Sequence, residues 1–300
     1  LKDKLTNNPD FIPTEPAPTG EALGNSVALY GFNTFDKFFS DRQKLTLGIF
    51  AEKIRELHSE LVDLDYDKDH AKTIVLLLGF VLDRFAMLNN QFNFWYQKGE
   101  LIKTGLTVGQ FRISWEFIEP NPFNNGSGSW TSCLSTVTAG ISVAGALPLN
   151  GSIYQDRIGS ATNLPYKDAT FDIIATDPPY YDYIPYADVS DFFFVWLKRT
   201  VGKLFPEVFQ HDLTPKEGEL IYSSKPETTR SKLEEGLAET WKECHRVLKD
   251  EGLLVVQFAN RSVNAWKQIA ETLMGAGFDP VVLWPILSES PSKLSAHRAT

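Results

Sequence analysis

The hydrophobic pattern of the chain changes character near residue 150. Residues 1 to about 26 are polar and punctuated by Pro9, Pro13, Pro16, Pro18, Gly20 and Gly24, which predicts a linker or extended arm. Ser40-Asp41-Arg42-Gln43 reads as a helix start, followed by Leu45, Ile49, Ile54, Leu57 and Leu61 at helical steps. A second helix is expected from about His70 to Asn90, apolar nearly all round its centre at Ile74, Leu77, Leu78, Val81, Leu82 and Phe85, and therefore buried. Residues 91 to 150 read as loop-rich.

Beyond residue 150 strands and helices alternate. Ser152–Gln155 is a short strand candidate, and Phe171–Thr176 reads as a strand buried on both faces. A helix is expected over Asp188–Val201, with Phe192, Phe193, Val195, Trp196 and Leu197 inside. Lys232–Leu248 places Leu233, Leu237, Trp241, Cys244 and Leu248 on one helical face, and Lys249-Asp250-Glu251-Gly252 is expected to stop it. Leu253–Phe258 follows as a second buried strand, Ser262–Gly275 as a helix ended by Gly275 and Gly277, and Val281–Trp284 as a last strand. This order implies βαβ units and a mainly parallel sheet.

Composition narrows the classes. The 300 residues are 43% hydrophobic and 22% charged, ordinary for a globular protein, and no run of 18 apolar residues suggests a membrane span. Two cysteines, Cys133 and Cys244, exclude a disulfide scaffold and a four-cysteine zinc ribbon, and point to a reducing, cytoplasmic setting. The net charge of −9 weighs against nucleic-acid binding, which is driven by Lys and Arg on phosphates. Five scattered histidines make no metal-ligand spacing, so no metal site is expected.

The chemistry concentrates in Asp177-Pro178-Pro179-Tyr180, directly after the strand ending at Thr176. Ligands of open α/β sheets bind at the carboxyl ends of strands. There Asp177 can accept a hydrogen bond from an amino group, and the Pro178 carbonyl can accept a second. Two acceptors on one exocyclic amine turn its hydrogens aside and expose the nitrogen lone pair. The prolines stiffen the loop, and Tyr180 offers a face on which a ring stacks. Tyr181, Tyr183 and Tyr186 either line such a pocket or cover the following helix. Asp188 and Asp191 are explained by helix capping and the helix dipole. Asn93, Trp95 and Asn121 are either buried loop residues or neighbours of the catalytic loop.

The tetrapeptide resembles the signature of S-adenosylmethionine-dependent amino-methyltransferases, in the Asp-Pro-Pro-Tyr form of adenine-specific DNA methylases. The surroundings are similar to the large, zinc-ribbon-containing members of that group found beside restriction or anti-phage genes. They are Asn163-Leu164-Pro165, Thr176–Asp182, Tyr186–Arg199 and Arg246–Val256. Tyr30-Gly31-Phe32, Arg42-Gln43, Asp83-Arg84, Trp115-Glu116-Phe117 and Glu119-Pro120-Asn121-Pro122 resemble the segment preceding the catalytic loop.

The resemblance implies a class I, Rossmann-like α/β methyltransferase sheet with a helical insertion. Residues 1–28 would be a flexible linker, 29–150 the helical insertion region, and 151–300 the catalytic-loop half. It implies methylation of the exocyclic amine of adenine in DNA, with Asp177, Pro178, Pro179 and Tyr180 acting on a flipped base. Partners would be DNA and other restriction or defence-system proteins, with no membrane. Gly159-Ser160-Ala161 is implied to touch the adenine of S-adenosylmethionine, with Ser160 where relatives often carry Asp. The family's glycine-rich Phe-x-Gly-Gly-Gly motif is missing from the sequence. That omission, with a first residue Leu1, suggests a C-terminal fragment. Two alternatives stand beside this reading: an RNA or protein amino-methyltransferase, and a non-catalytic piece that needs a cofactor-binding partner segment.

Overall fold

The computed structural model describes residues 2–18, 27–107, 110–111, 116–146, 159–179, 185–221, 230–260 and 262–286. The protein is mixed α/β and forms two compact units. One joins Leu1–Ser152 to Pro185–Lys216, and the other joins Ile153–Ile184 to Glu217–Thr300. The 185–216 segment, expected with the catalytic-loop half, thus belongs to the helical unit.

The first unit is built on helices α1 (Lys2–Asn7), α2 (Asp41–Asp63), α3 (Lys68–Leu88), α4 (Trp130–Gly145) and α5 (Tyr186–Val201). α2 begins where Ser40 predicts, through a capping box. The Ser40 hydroxyl accepts from the Gln43 N–H, and the Gln43 side chain accepts from the Ser40 N–H. α3, α2 and α5 pack around Phe35, Phe38, Phe39, Phe85, Phe192 and Trp196, all buried. Two short antiparallel pairs lie beside them: β1 (Phe94–Tyr96) with β2 (Leu101–Lys103), and β3 (Leu106–Thr107) with β4 (Gln110–Phe111).

Two expectations fail in this unit. Residues 2–18 are no linker: Phe11 is 2% exposed, Ile12 and Ala17 are buried with it, and Pro16 bridges to Thr34. The apolar residues between the prolines make the arm part of the core. Gly48 permits this approach, since a Cβ there would stand 2.5 Å from the Phe11 ring. Arg199 fixes the arm from the other side, donating to the Glu15 carboxylate at 2.9 Å and to the Ile12 carbonyl at 3.1 Å. The second failure is α4, which falls inside the stretch expected to be loop. Its N-cap Ser129 accepts from Ser132 N–H, and Thr136, Thr138 and Ser142 return their hydroxyls to carbonyls four residues back.

The second unit contains β5 (Phe171–Thr176), α6 (Arg230–Val247), β6 (Leu248–Val256) and α7 (Val263–Gly275). β5 and β6 pair in parallel, as the alternation predicts. α6 buries Leu233, Leu237, Trp241 and Cys244, and α7 adds Ile269. Ile174, Leu254, Val256 and Phe258 pack onto that cluster. α7 ends in a Schellman turn: Phe278 N–H reaches Leu273 O, Gly277 N–H reaches Met274 O, and Gly277 has φ +99°.

Here too the structure corrects the reading. Lys249–Gly252 stops α6 but lies within β6, where the pairing jumps from Phe171↔Leu248 to Ile173↔Leu253. The segment is an insertion in the strand, not a turn before it. β5 and β6 are not buried on both faces among the described residues: Ile173 is 62% exposed, Leu253 55% and Val255 50%. Val281–Trp284 forms no strand, and its side chains are exposed. The run has the β-branched composition of a strand but no ladder among the described residues. The Ser152–Gln155 candidate lies outside those residues.

Candidate functional site

Parallel pairing puts the carboxyl ends of β5 and β6 at one edge of the second unit. Thr176 pairs with Val256, and the Gln257 N–H donates to the Thr176 carbonyl at 2.9 Å, so the ladder runs to the last residue of β5. Asp177-Pro178-Pro179 leaves the sheet there. Asp177 is exposed, Pro178 is buried and Pro179 half-buried. A buried proline fixes the exit of the loop and has no N–H to leave unsatisfied. The fourth residue of the motif, Tyr180, lies outside the described residues, as do Tyr181 and Tyr183.

Gly159-Ser160-Ala161 occupies a separate exposed turn upstream of β5. Ser160 bridges to Asn163, its hydroxyl shares a 2.7 Å hydrogen bond with Thr162, and Gly159 faces open space. This turn continues into a clamp built on Glu243 and Arg246 of α6. Arg246 of α6 donates to the carbonyls of Leu164 and Tyr166 and to the Asp168 carboxylate, while Glu243 accepts the Leu164 N–H at 2.8 Å. Glu243 and Arg246 also bond each other. The Arg246 hydrogen bond, then the Leu164 N–H, hold the Glu243 carboxyl down to about 2. Glu243, then Asp168, raises Arg246. The clamp ties the loop entering β5 to the helix entering β6.

The loop leaving β6 is also held. Phe258 meets Trp266 edge-on at 5.0 Å, Trp266 Nε1 donates to the Asn260 carbonyl at 2.8 Å, and Asn260 Oδ1 accepts the Ser262 N–H. Gln257, exposed, stands between this anchored segment and the ladder bond to Thr176. Sequence reasoning passed over Gln257, Glu243 and Trp266. For Glu243 the signal was its three-residue spacing to Arg246 on a helix. For Gln257 it was the strand register, which a single sequence does not display.

In the first unit Asp188, Asp191, Asn93 and Asn121 all have partners within the fold. Asp191 is no cap: it sits inside α5, 0% exposed, and accepts from Thr214 N–H, the Thr214 hydroxyl and Lys216. Asp188 lies in the first turn, 3.7 Å from Lys216. Asn93 is buried and donates to the Met87 carbonyl, and Asn121 caps its own turn at Phe123. Trp95 and Tyr186 are exposed. Both cysteines are buried and free, and burial pushes both thiols up, which makes poor nucleophiles. A cleft of about 200 Å³ opens between Gln43, Phe85, Asn89, Glu119 and Pro120. Among the described residues no three His, Cys, Asp or Glu side chains converge on a metal position, and no helix is long and apolar enough to cross a membrane.

The chain matches no protein-family model, no curated protein and no solved structure.

Proposed function

We propose that the chain carries the amine-orienting site of a class I, Rossmann-like methyltransferase that methylates the exocyclic amine of adenine in DNA. One observation carries the reading: Asp177-Pro178-Pro179 leaves the carboxyl end of a strand paired in parallel with the strand that follows α6. In this reading the Asp177 carboxylate and the Pro178 carbonyl accept the two amine hydrogens. The nitrogen lone pair then points away from both. Tyr180 stacks on a base turned out of the duplex. The amine becomes acidic as it is alkylated, so its proton leaves to water without a dedicated base. Rate comes from orientation.

S-adenosylmethionine would supply an electrophilic methyl group. The described residues fit it poorly. Ser160 spends its hydroxyl on Thr162, and the sequence has no glycine-rich cradle for the methionine end. Gly159 faces open space and offers no contact of its own.

A second reading draws on the uncovered sheet face. Parallel strands are ordinarily covered on both sides. The exposure of Ile173, Leu253 and Val255 favours a chain completed by a partner segment that brings the cofactor site. An RNA or protein substrate is the weaker alternative, because the Asp-Pro-Pro-Tyr spelling resembles the DNA-methylase form of the signature.

The test is methyl transfer from labelled S-adenosylmethionine to adenine-containing DNA, with Asp177→Ala as control. The expected loss is at least about a hundredfold, the scale of misplaced reacting groups. Transfer that survives Asp177→Ala unchanged would sink the assignment. Calorimetry of S-adenosylmethionine with the chain alone separates the two readings: binding favours a self-sufficient enzyme, and none favours the partnered one.

A further inference from the structure

We infer that Gln257 is a second base-contacting residue, donating from its carboxamide to the ring nitrogen beside the amine that Asp177 orients. The inference rests on the adenine reading of the Asp177 site and adds a specificity determinant to it.

On β5, Ile174 packs inward while Ile173 and Ala175 face outward; on β6, Leu254 and Val256 pack inward while Leu253 and Val255 face outward. Ile173 pairs with Leu253 and Ala175 with Val255. Side chains alternate with period two, so the next outward pair is Asp177 and Gln257. The bond from Gln257 N–H to Thr176 O carries the ladder up to that pair. Both residues are exposed. Laterally paired side chains on neighbouring strands stand about 5 Å apart.

Chemistry then assigns the roles. The adenine edge presents an amino donor next to a ring-nitrogen acceptor. A carboxylate has only acceptors and satisfies the amine, whereas a carboxamide also donates and satisfies the ring nitrogen. Side by side, Asp177 and Gln257 complement both groups. Guanine and thymine present a carbonyl beside a protonated ring nitrogen and are mismatched at both positions, whereas cytosine shares the amine-beside-ring-nitrogen pair and is separated from adenine only by ring size. The loop after Gln257 is held by Phe258 in the core and by Trp266 on the Asn260 carbonyl, so the residue is presented on a fixed backbone.

The experiment uses the full chain and fluorescence anisotropy at low salt, with single-stranded oligonucleotides alike except at one base. Single strands remove the cost of extruding the base. The base is adenine, 1-deazaadenine (a C–H in place of the N1 acceptor beside the amine) or purine (no amine). The unaltered protein should bind adenine about tenfold tighter than either analogue, the scale of one base-edge contact. Gln257→Ala and Gln257→Glu should abolish the preference over 1-deazaadenine and keep the preference over purine. Asp177→Ala should do the reverse. If Gln257→Ala keeps its preference over 1-deazaadenine while Asp177→Ala loses its preference over purine, the inference fails and the adenine reading survives. If the unaltered protein ignores the amine altogether, both fall.

Discussion

The two units spend their apolar residues differently. The first surrounds an aromatic cluster of Phe35, Phe38, Phe39, Phe85, Phe192 and Trp196 with helices and with its own N-terminal arm. The second buries one face of the β5–β6 pair under α6 and α7 and leaves Ile173, Leu253 and Val255 exposed. Yet the second unit holds the residues with a chemical logic, and the first holds buried polar groups with structural duties. Binding and reacting groups need access, and access removes cover. The stiffness of the site therefore has to come from local devices: buried Pro178, the Glu243–Arg246 clamp and the Phe258–Trp266 anchor.

The largest expected effect lies in the first unit. Arg199→Ala leaves the half-buried Glu15 carboxylate without its cation and frees the arm. The loss should be about 3–5 kcal/mol, with faster hydrogen exchange across residues 2–18. A small change would mean that the arm docks through Phe11 and Ile12 alone. In the second unit Leu237→Ala should cost about 2–5 kcal/mol, since Leu237 is 1% exposed in the smaller core. Its signature is exchange rising in α6 and β6 and staying level in α2 and α3. Spread into the first unit would show that the two do not unfold separately.

The acid response should separate the units as well. Glu243 sits near 2 in the fold against an ordinary 4.5, so it contributes stability above about 4.5 that is lost as pH falls toward 2. Glu243→Gln should lower the urea midpoint of the second unit at pH 7 and flatten its fall over that window. Asp83 has the opposite sign. Burial raises its carboxyl well above the ordinary 3.8, and Oδ1 has no hydrogen-bond partner among the described residues. The unfolded chain ionises first as pH rises, so Asp83 costs stability near neutrality and nothing at acid pH. Asp83→Asn should raise the midpoint at pH 7, with the gain vanishing as pH drops below 3.8. A gain that persists at acid pH would point to packing instead.

What could be read in advance follows from how local each signal is. The start of α2 and both ends of α7 were legible to within a residue, because Ser40 and Gln43 mark the first and Ser262, Gly275 and Gly277 the second. The β5–β6 pairing was legible from alternation, and Asp177-Pro178-Pro179 from its own spelling. α4 was not, because its Ser, Thr, Val and Gly content favours other conformations and only Ser129 marks the start. The arm hid its core residues among prolines. Val281–Trp284 spelled a strand, but a strand needs a neighbour that spelling does not supply. Gln257 became visible only once the register of β6 against β5 was known.

The smallest effect tests the comparison itself. Leu253 and Leu254 are consecutive on β6 and face opposite ways. Leu253→Ser should move stability by no more than about 0.5 kcal/mol, as at exposed positions generally. Leu254→Ser removes an inner contact and should cost about 1–3 kcal/mol. Unfolding midpoints of the two variants, taken at several protein concentrations, decide the matter. Unequal costs independent of concentration mean that the outer face is open in the working protein. Equal costs that grow with concentration mean that a second copy covers it, because association adds stability only where the covering surface is bound. In that case the exposure of Ile173, Leu253 and Val255 describes an interface, and the site at Asp177 stands at its edge.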